Sequence, residues 1–269
     1  IIMGLLSSLF GVKKSNTRRW SPMKLHAKKV SLKDVKADVL VVPLFKDMKK
    51  QSKLYKELDG MVGLPTLDFE KFGEEGSFMS SFAGKRLLLF AGLGEKAKLD
   101  LEKLRKLGGR LVKYLQSKQL KSSACLSFDC GKIPLNEATR AFADGVFLGA
   151  YGFDKFKTDA AAKKKKELLS LMLVVESKRD ENRVQRAFDF SSLVCANTNM
   201  VRDLVNTPAN VATPKYCSKL AASIAKKVGL KCKILGKAEL KKEKMGCFLS
   251  VAQGSAQEPQ MVVLEHKAK

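Results

Sequence analysis

From Met23 onward, short unbroken apolar runs alternate with stretches whose apolar residues recur every three or four positions. Asp38 to Phe45 (DVLVVPLF) and Arg86 to Leu93 (RLLLFAGL) are runs of the kind that fill strands buried on both faces. Leu101, Leu104, Leu107, Leu111 and Leu115 place one apolar stripe on a helix over 100–119. The same reading predicts a strand over 122–128, a helix over 134–152 opened by Pro134, and a buried strand over 168–176 (LLSLMLVVE). Alternating elements of this kind imply an α/β fold with a largely parallel sheet.

A second block follows the polar stretch Ser177 to Asn182, where the domain boundary is placed. It opens with a long helix over 183–204. Thr213 and Pro214 then supply an N-cap and first-turn proline for a helix carrying Tyr216, Leu220, Ile224 and Val228, which Gly229 stops. A strand over 231–235, a short helix over 238–244 and a strand over 260–266 make a βαβ-like start to another α/β domain. About 80 residues is too little to close a doubly wound sheet, so this domain is expected to be incomplete.

Residues 1–22 stand apart. The apolar run Ile1 to Val12 is interrupted by Ser7 and Ser8 and is about half the roughly 20 residues a membrane-spanning helix needs. Its basic residues follow the apolar stretch, the reverse of a secretory signal, and Trp20-Ser21-Pro22 breaks any helix. The stretch is expected to be a disordered extension, with Met23 fitting a translation start. The expected organisation is therefore 1–22 extension, 23–178 N-terminal α/β domain, and 179–269 linker helix plus the start of a second domain.

Charge adds a partner class. Lys and Arg number 51 against 27 Asp and Glu, a formal net charge of +24, which raises the local concentration of polyanions. The lysines are scattered, densest at Lys163 to Lys166, and lack the arginine and aromatic interleaving of a sequence reader. Weak, non-specific nucleic-acid binding is the most this predicts, and no membrane contact. The six cysteines show no CxxC spacing and only His26 and His266 could assist them, which argues against a zinc cluster and reads as reduced, cytoplasmic thiols.

Weaker candidates for chemistry resolve into structural roles. Gly92-Leu93-Gly94 follows a strand but lacks the third glycine of a dinucleotide fingerprint, so a tight turn is expected. Neither His26 nor His266 has an acid-base constellation beside it. Cys195 has no histidine within sequence reach and is expected as a buried thiol. Glu137 and Asp144 lie on one helix face, where exposed charges are ordinary.

The most specific string is Arg202 to Pro214 (RDLVNTPANVATP), whose asparagines and prolines at fixed offsets describe a rigid connection between helices. With the helix and strand that follow and with Gly246 to Ser255 (GCFLSVAQGS), it resembles the entry to the catalytic domain of the leucyl aminopeptidase (cytosol aminopeptidase) family. Asp144 to Thr158 (DGVFLGAYGFDKFKT) is similar to that family's segment near the end of its N-terminal domain. Asp38 to Pro43 and Ala91 to Gly94 match in kind, so the resemblance covers about residues 23–269.

It implies a macro-domain-like N-terminal α/β domain before an α/β catalytic domain, assembly into hexamers, peptide substrates that lose their N-terminal residue, and two divalent metal ions, Mn or Zn. Two metals suit that hydrolysis because a bridging water must lose its proton near neutral pH while the scissile carbonyl is polarised. The family's ligands, a Lys and several carboxylates with a distinctive NTDAEGRL block, come after the strand equivalent to Met261 to Glu265. This sequence does not contain that block. No catalytic, cofactor-binding or metal residue is therefore assigned; no metal is expected on this chain alone, and it is expected to be inactive by itself. A different class of reading is a non-catalytic assembly or polyanion-binding module.

Overall fold

The computed structural model describes residues 23–48, 69–127, 130–158 and 170–267. Two compact units emerge, one running to Asn199 and the other beginning at Met200. The readings made for residues 1–22 and for Lys163 to Lys166 lie outside the described residues. No helix among the described residues is long and apolar enough to cross a membrane.

The first unit is an α/β structure built on a six-stranded sheet. Its strands are β1 (Lys24–Lys29), β2 (Val39–Leu44), β3 (Phe78–Ala83), β4 (Arg86–Gly92), β5 (Ser122–Leu126) and β6 (Ser170–Val175). They lie in the order β1-β6-β5-β2-β4-β3. All neighbours are parallel except the hairpin β3-β4. The helices are α1 (Phe69–Phe72), α2 (Leu101–Ser117), α3 (Leu135–Gly149) and α4 (Lys178–Asn206), of which residues from Met200 on are counted with the second unit.

The continuous apolar runs sit where burial on both faces demands them: every residue of β2 is buried. Alternate side chains feed two cores. Val39, Val41, Leu89, Cys125, Leu171 and Leu173 face one, where Leu104, Leu111 and Leu115 of α2, Phe142 and Val146 of α3, and Val184 and Phe188 of α4 complete it. Leu40, Val42, Leu88, Phe90, Ala124 and Met172 face the other, beside Val35. Phe72 of α1 meets the Phe90 ring edge-on at 5.5 Å there.

Helices α2 and α3 approach closely because glycines line their seam. A Cβ on Gly108 would fall 2.2 Å from the Phe142 carbonyl oxygen, and one on Gly145 would fall 1.9 Å from that of Arg105. Asp100 caps α2, its Oδ1 accepting from the Lys103 N–H at 2.7 Å. Pro134 stands at the N-cap of α3 with φ −58°, one position before the first turn where the sequence pattern puts it.

Helix α4 starts at Lys178, five residues earlier than the apolar periodicity suggests. The cause is a local cap: Ser177 Oγ accepts from the Asp180 N–H at 3.0 Å and donates to Asp180 Oδ2 at 2.6 Å. The polar stretch 177–182 thus forms the helix start. Its side chains then serve the sheet. Strand β1 is an edge, and its outward N–H groups at Ala27 and Lys29 donate to Gln185 Oε1 (3.1 Å) and Glu181 Oε2 (3.0 Å). These bonds satisfy groups that an open edge would offer to another chain.

The second unit contains α5 (Pro214–Val228), β7 (Lys231–Leu235), α6 (Lys237–Lys242), α7 (Gly246–Ala252) and β8 (Met261–Glu265). Gly229 ends α5 at φ +73°, the left-handed conformation a C-terminal glycine supplies without strain. The βαβ-like expectation for β7 and β8 does not hold: they pair antiparallel, Lys231 opposite Glu265 and Leu235 opposite Met261. A parallel return usually runs through a single crossover helix, whereas the connection here is divided into helices of 6 and 7 residues. At about 1.5 Å per residue neither spans a five-residue strand of roughly 16 Å.

Candidate functional site

The connection singled out in the sequence is a tightly bonded turn. After α4 ends, Thr207 is buried and its Oγ1 donates to the Asp203 carbonyl at 2.6 Å. The Pro208 carbonyl accepts from both Val211 and Ala212 N–H at 2.9 Å. Thr213 then caps α5, its Oγ1 accepting from the Tyr216 N–H at 3.3 Å with Pro214 in the first turn. The residues of RDLVNTPANVATP that take part in these bonds close the turn before α5 and cap its start, and none of the bonds builds a catalytic centre.

The glycines after β4 have no free donors for a phosphate. Leu93 N–H donates to the Leu44 carbonyl and Gly94 N–H to that of Gly73, both at 2.8 Å, while Gly92 N–H donates to Ser77 at 3.0 Å. Gly92 is required by space, since a Cβ would lie 1.9 Å from the Glu74 carbonyl oxygen, and Gly94 by its φ of +74°. The geometry is that of a close-packed turn joining the ends of β2 and β4 to the segment before β3.

The titratable candidates disperse. His26 lies half-buried on β1, and burial followed by the charge of Lys28 lowers its pKa, which keeps the imidazole neutral at physiological pH. His266 follows β8 and is exposed. Glu137 is exposed on α3, whereas Asp144 faces α4 and accepts from the Cys195 thiol, 3.6 Å from Sγ to Oδ1. That pairing across 51 positions of sequence is invisible to motif reading. It works against nucleophilic chemistry, because burial and the neighbouring carboxylate push the Cys195 thiol up to about 12. Burial alone pushes Cys125 up to about 12.

A reactive cysteine shows the opposite shift. Near pH 8 only about one in ten thousand of the buried thiols is ionised, so Cys217 and Cys247, both exposed, will be alkylated by iodoacetamide while Cys125 and Cys195 remain unmodified until the chain unfolds. Peptide mass mapping reads this directly, and early modification of Cys195 in folded protein would contradict its placement.

Among the described residues no three His, Cys, Asp or Glu side chains come together to hold a metal ion. Two family models nevertheless match the sequence: cytosol aminopeptidase family, N-terminal domain, over residues 67–160, and cytosol aminopeptidase family, catalytic domain, over residues 199–269. The chain belongs to the cytosol aminopeptidase family. Its catalytic-domain match starts where the second compact unit starts, at residues 199–200.

Relatives in this family include a probable cytosol aminopeptidase of Syntrophotalea carbinolica, 30% identical over 243 residues, covering 87% of this chain and 48% of the relative. That of Alkaliphilus metalliredigens is 28% identical over 254 residues, covering 91% and 51%. A tomato leucine aminopeptidase mutant superposes with a TM-score of 0.75 at 24% identity, over 89% of this chain and 50% of the other. The bottromycin maturation enzyme in complex with Mn gives 0.67 at 21%, over 86% and 46%. At such identities these structures establish a shared α/β fold. The chain spans about half the length of the curated relatives it matches.

Proposed function

We propose that residues 1–269 are the N-terminal portion of a leucyl-type metalloaminopeptidase that hydrolyses the N-terminal residue from peptides. The observation that carries this reading is the pair of matches to the N-terminal and catalytic domains of one family, in the family's order along one chain. In this reading residues 23–178 form the N-terminal α/β domain, and the helix that follows links it to the opening of the catalytic domain. Two divalent ions, manganese or zinc, belong to the whole enzyme. No catalytic step is given to a residue of this chain in this reading, which is supported by the lack of any group of three His, Cys, Asp or Glu side chains among the described residues. A cytoplasmic location and a hexameric assembly go with the same reading.

The test compares two purified polypeptides on a leucyl chromogenic substrate with added Mn²⁺ or Zn²⁺: residues 1–269, and the longer product translated when the reading frame is followed past the Lys269 codon. The shorter chain is expected to release no amine above the metal-only blank, and the longer one to show chelator-sensitive turnover. Robust chelator-sensitive turnover by residues 1–269, or a folded but inactive longer product, would overturn the proposal.

A further inference from the structure

Positive charge in the second unit is concentrated in one short stretch. Residues 226–244 hold eight lysines against two glutamates, and all eight lysines are exposed. Lys226 and Lys227 lie in the last turn of α5 and Lys241 and Lys242 in the last turn of α6. Lys231 and Lys233 lie on one side of β7, because alternate strand residues point the same way. One of the two acids is already engaged: Glu239 Oε2 accepts from the Gly236 N–H at 3.0 Å. The ion pairs Glu95–Lys98, Glu75–Lys103, Glu102–Arg105, Asp154–Lys157 and Lys178–Glu181 lie outside this stretch.

Helix C-termini attract cations, which accounts for four of these lysines. It does not account for the pair on β7, since lysine is depleted in strands. A lysine on an edge strand also discourages sheet-to-sheet pairing; that role affects self-association and leaves anion binding alone. Lys231 stands opposite Glu265 across the β7–β8 pair; what the other seven amines share is compact charge in excess of the stretch's two glutamates, without arginine or aromatic interleaving. Such charges suit phosphodiester groups and carry no means of reading base edges.

We propose that the lysine-dense stretch 226–244 is a contact surface for the phosphate backbone of nucleic acid, bound without regard to sequence. Each phosphate neutralised releases counterions, so affinity falls steeply as salt rises.

The experiment uses the full chain, two unrelated fluorescent DNA duplexes and an RNA hairpin, with anisotropy followed between about 50 and 200 mM salt. The variant K231Q/K233Q/K241Q/K242Q is expected to bind at least about tenfold more weakly near the middle of that range and to flatten the log-log salt slope by about 3 to 4. The charge-matched control K85Q/K106Q/K113Q/K121Q, exposed lysines of the first unit, is expected to stay within about twofold of the parent, as is replacement of Lys163 to Lys166 by glutamine. Should the fourfold variant melt early, K231Q/K233Q replaces it, with about half the slope change.

An equal loss in either comparison variant would show diffuse charge and overturn the proposal. So would an unchanged fourfold variant, displacement of the duplex by polyglutamate as readily as by unlabelled DNA, or a preference of more than about 100-fold for one duplex.

Discussion

Replacing Gly145 with alanine will destabilise the first unit by roughly 1–3 kcal/mol or more, the range for overpacking a closed site. The new Cβ would stand 1.9 Å from the Arg105 carbonyl oxygen and 2.8 Å from its carbon. Both are backbone atoms, which cannot rotate aside as a side chain does, so α2 and α3 would have to separate. The opposing effect is the gain of up to about 1 kcal/mol from removing a glycine inside a helix, too small to offset that separation. Gly109 supplies the control: its Cβ would meet the Gly145 carbonyl at 3.4 Å, an ordinary contact. Gly109→Ala should be neutral or stabilising by up to about 1 kcal/mol. Urea unfolding followed by far-UV circular dichroism separates the two, and a G145A protein as stable as its parent would contradict the close seam.

Removing the Phe142 ring is expected to cost about 3–5 kcal/mol, the range for truncating a buried aromatic side chain. Phe142 is 1% exposed and sits in the core between sheet and helices. It borders a small gap with Leu135, Ala138, Thr139 and Leu173, so the site has space that relaxation has not closed and truncation enlarges it. Phe82, 67% exposed on β3, provides the contrast, since its replacement by alanine falls within about 0.5 kcal/mol. Comparable losses at the two positions would mean that the helix layer does not pack as described.

Much of this architecture is legible along the chain because burial on both faces leaves an unambiguous record. The runs around Val39–Leu44, Arg86–Gly92 and Ser170–Val175 can hardly be anything except interior strands, and the leucine stripe of α2 fixes its buried face. Strand β3 is less visible: FMSSFA has an interrupted burial pattern at the sheet edge. Its signal is the turn instead, since Gly84 at φ +58° and Lys85 form a two-residue loop between the paired residues Ala83 and Arg86.

Other features are missed for identifiable reasons. Ser177 and Asp180 carry a capping pattern that periodicity alone overlooks, which is why α4 begins early. The antiparallel pairing of β7 and β8 depends on how two short helices turn the chain, and no local preference records that. The candidate site is legible only as a resemblance: RDLVNTPANVATP positions α5, while Cys195 and Asp144 meet through packing alone.

The central claim is that this chain is the first part of an aminopeptidase, and the most direct measurement is the nucleotide sequence following the Lys269 codon. The account predicts an open frame that continues within a short distance into a lysine and several carboxylates, including a block of the NTDAEGRL type. A transcript in which no frame beyond that codon encodes such a set would contradict it.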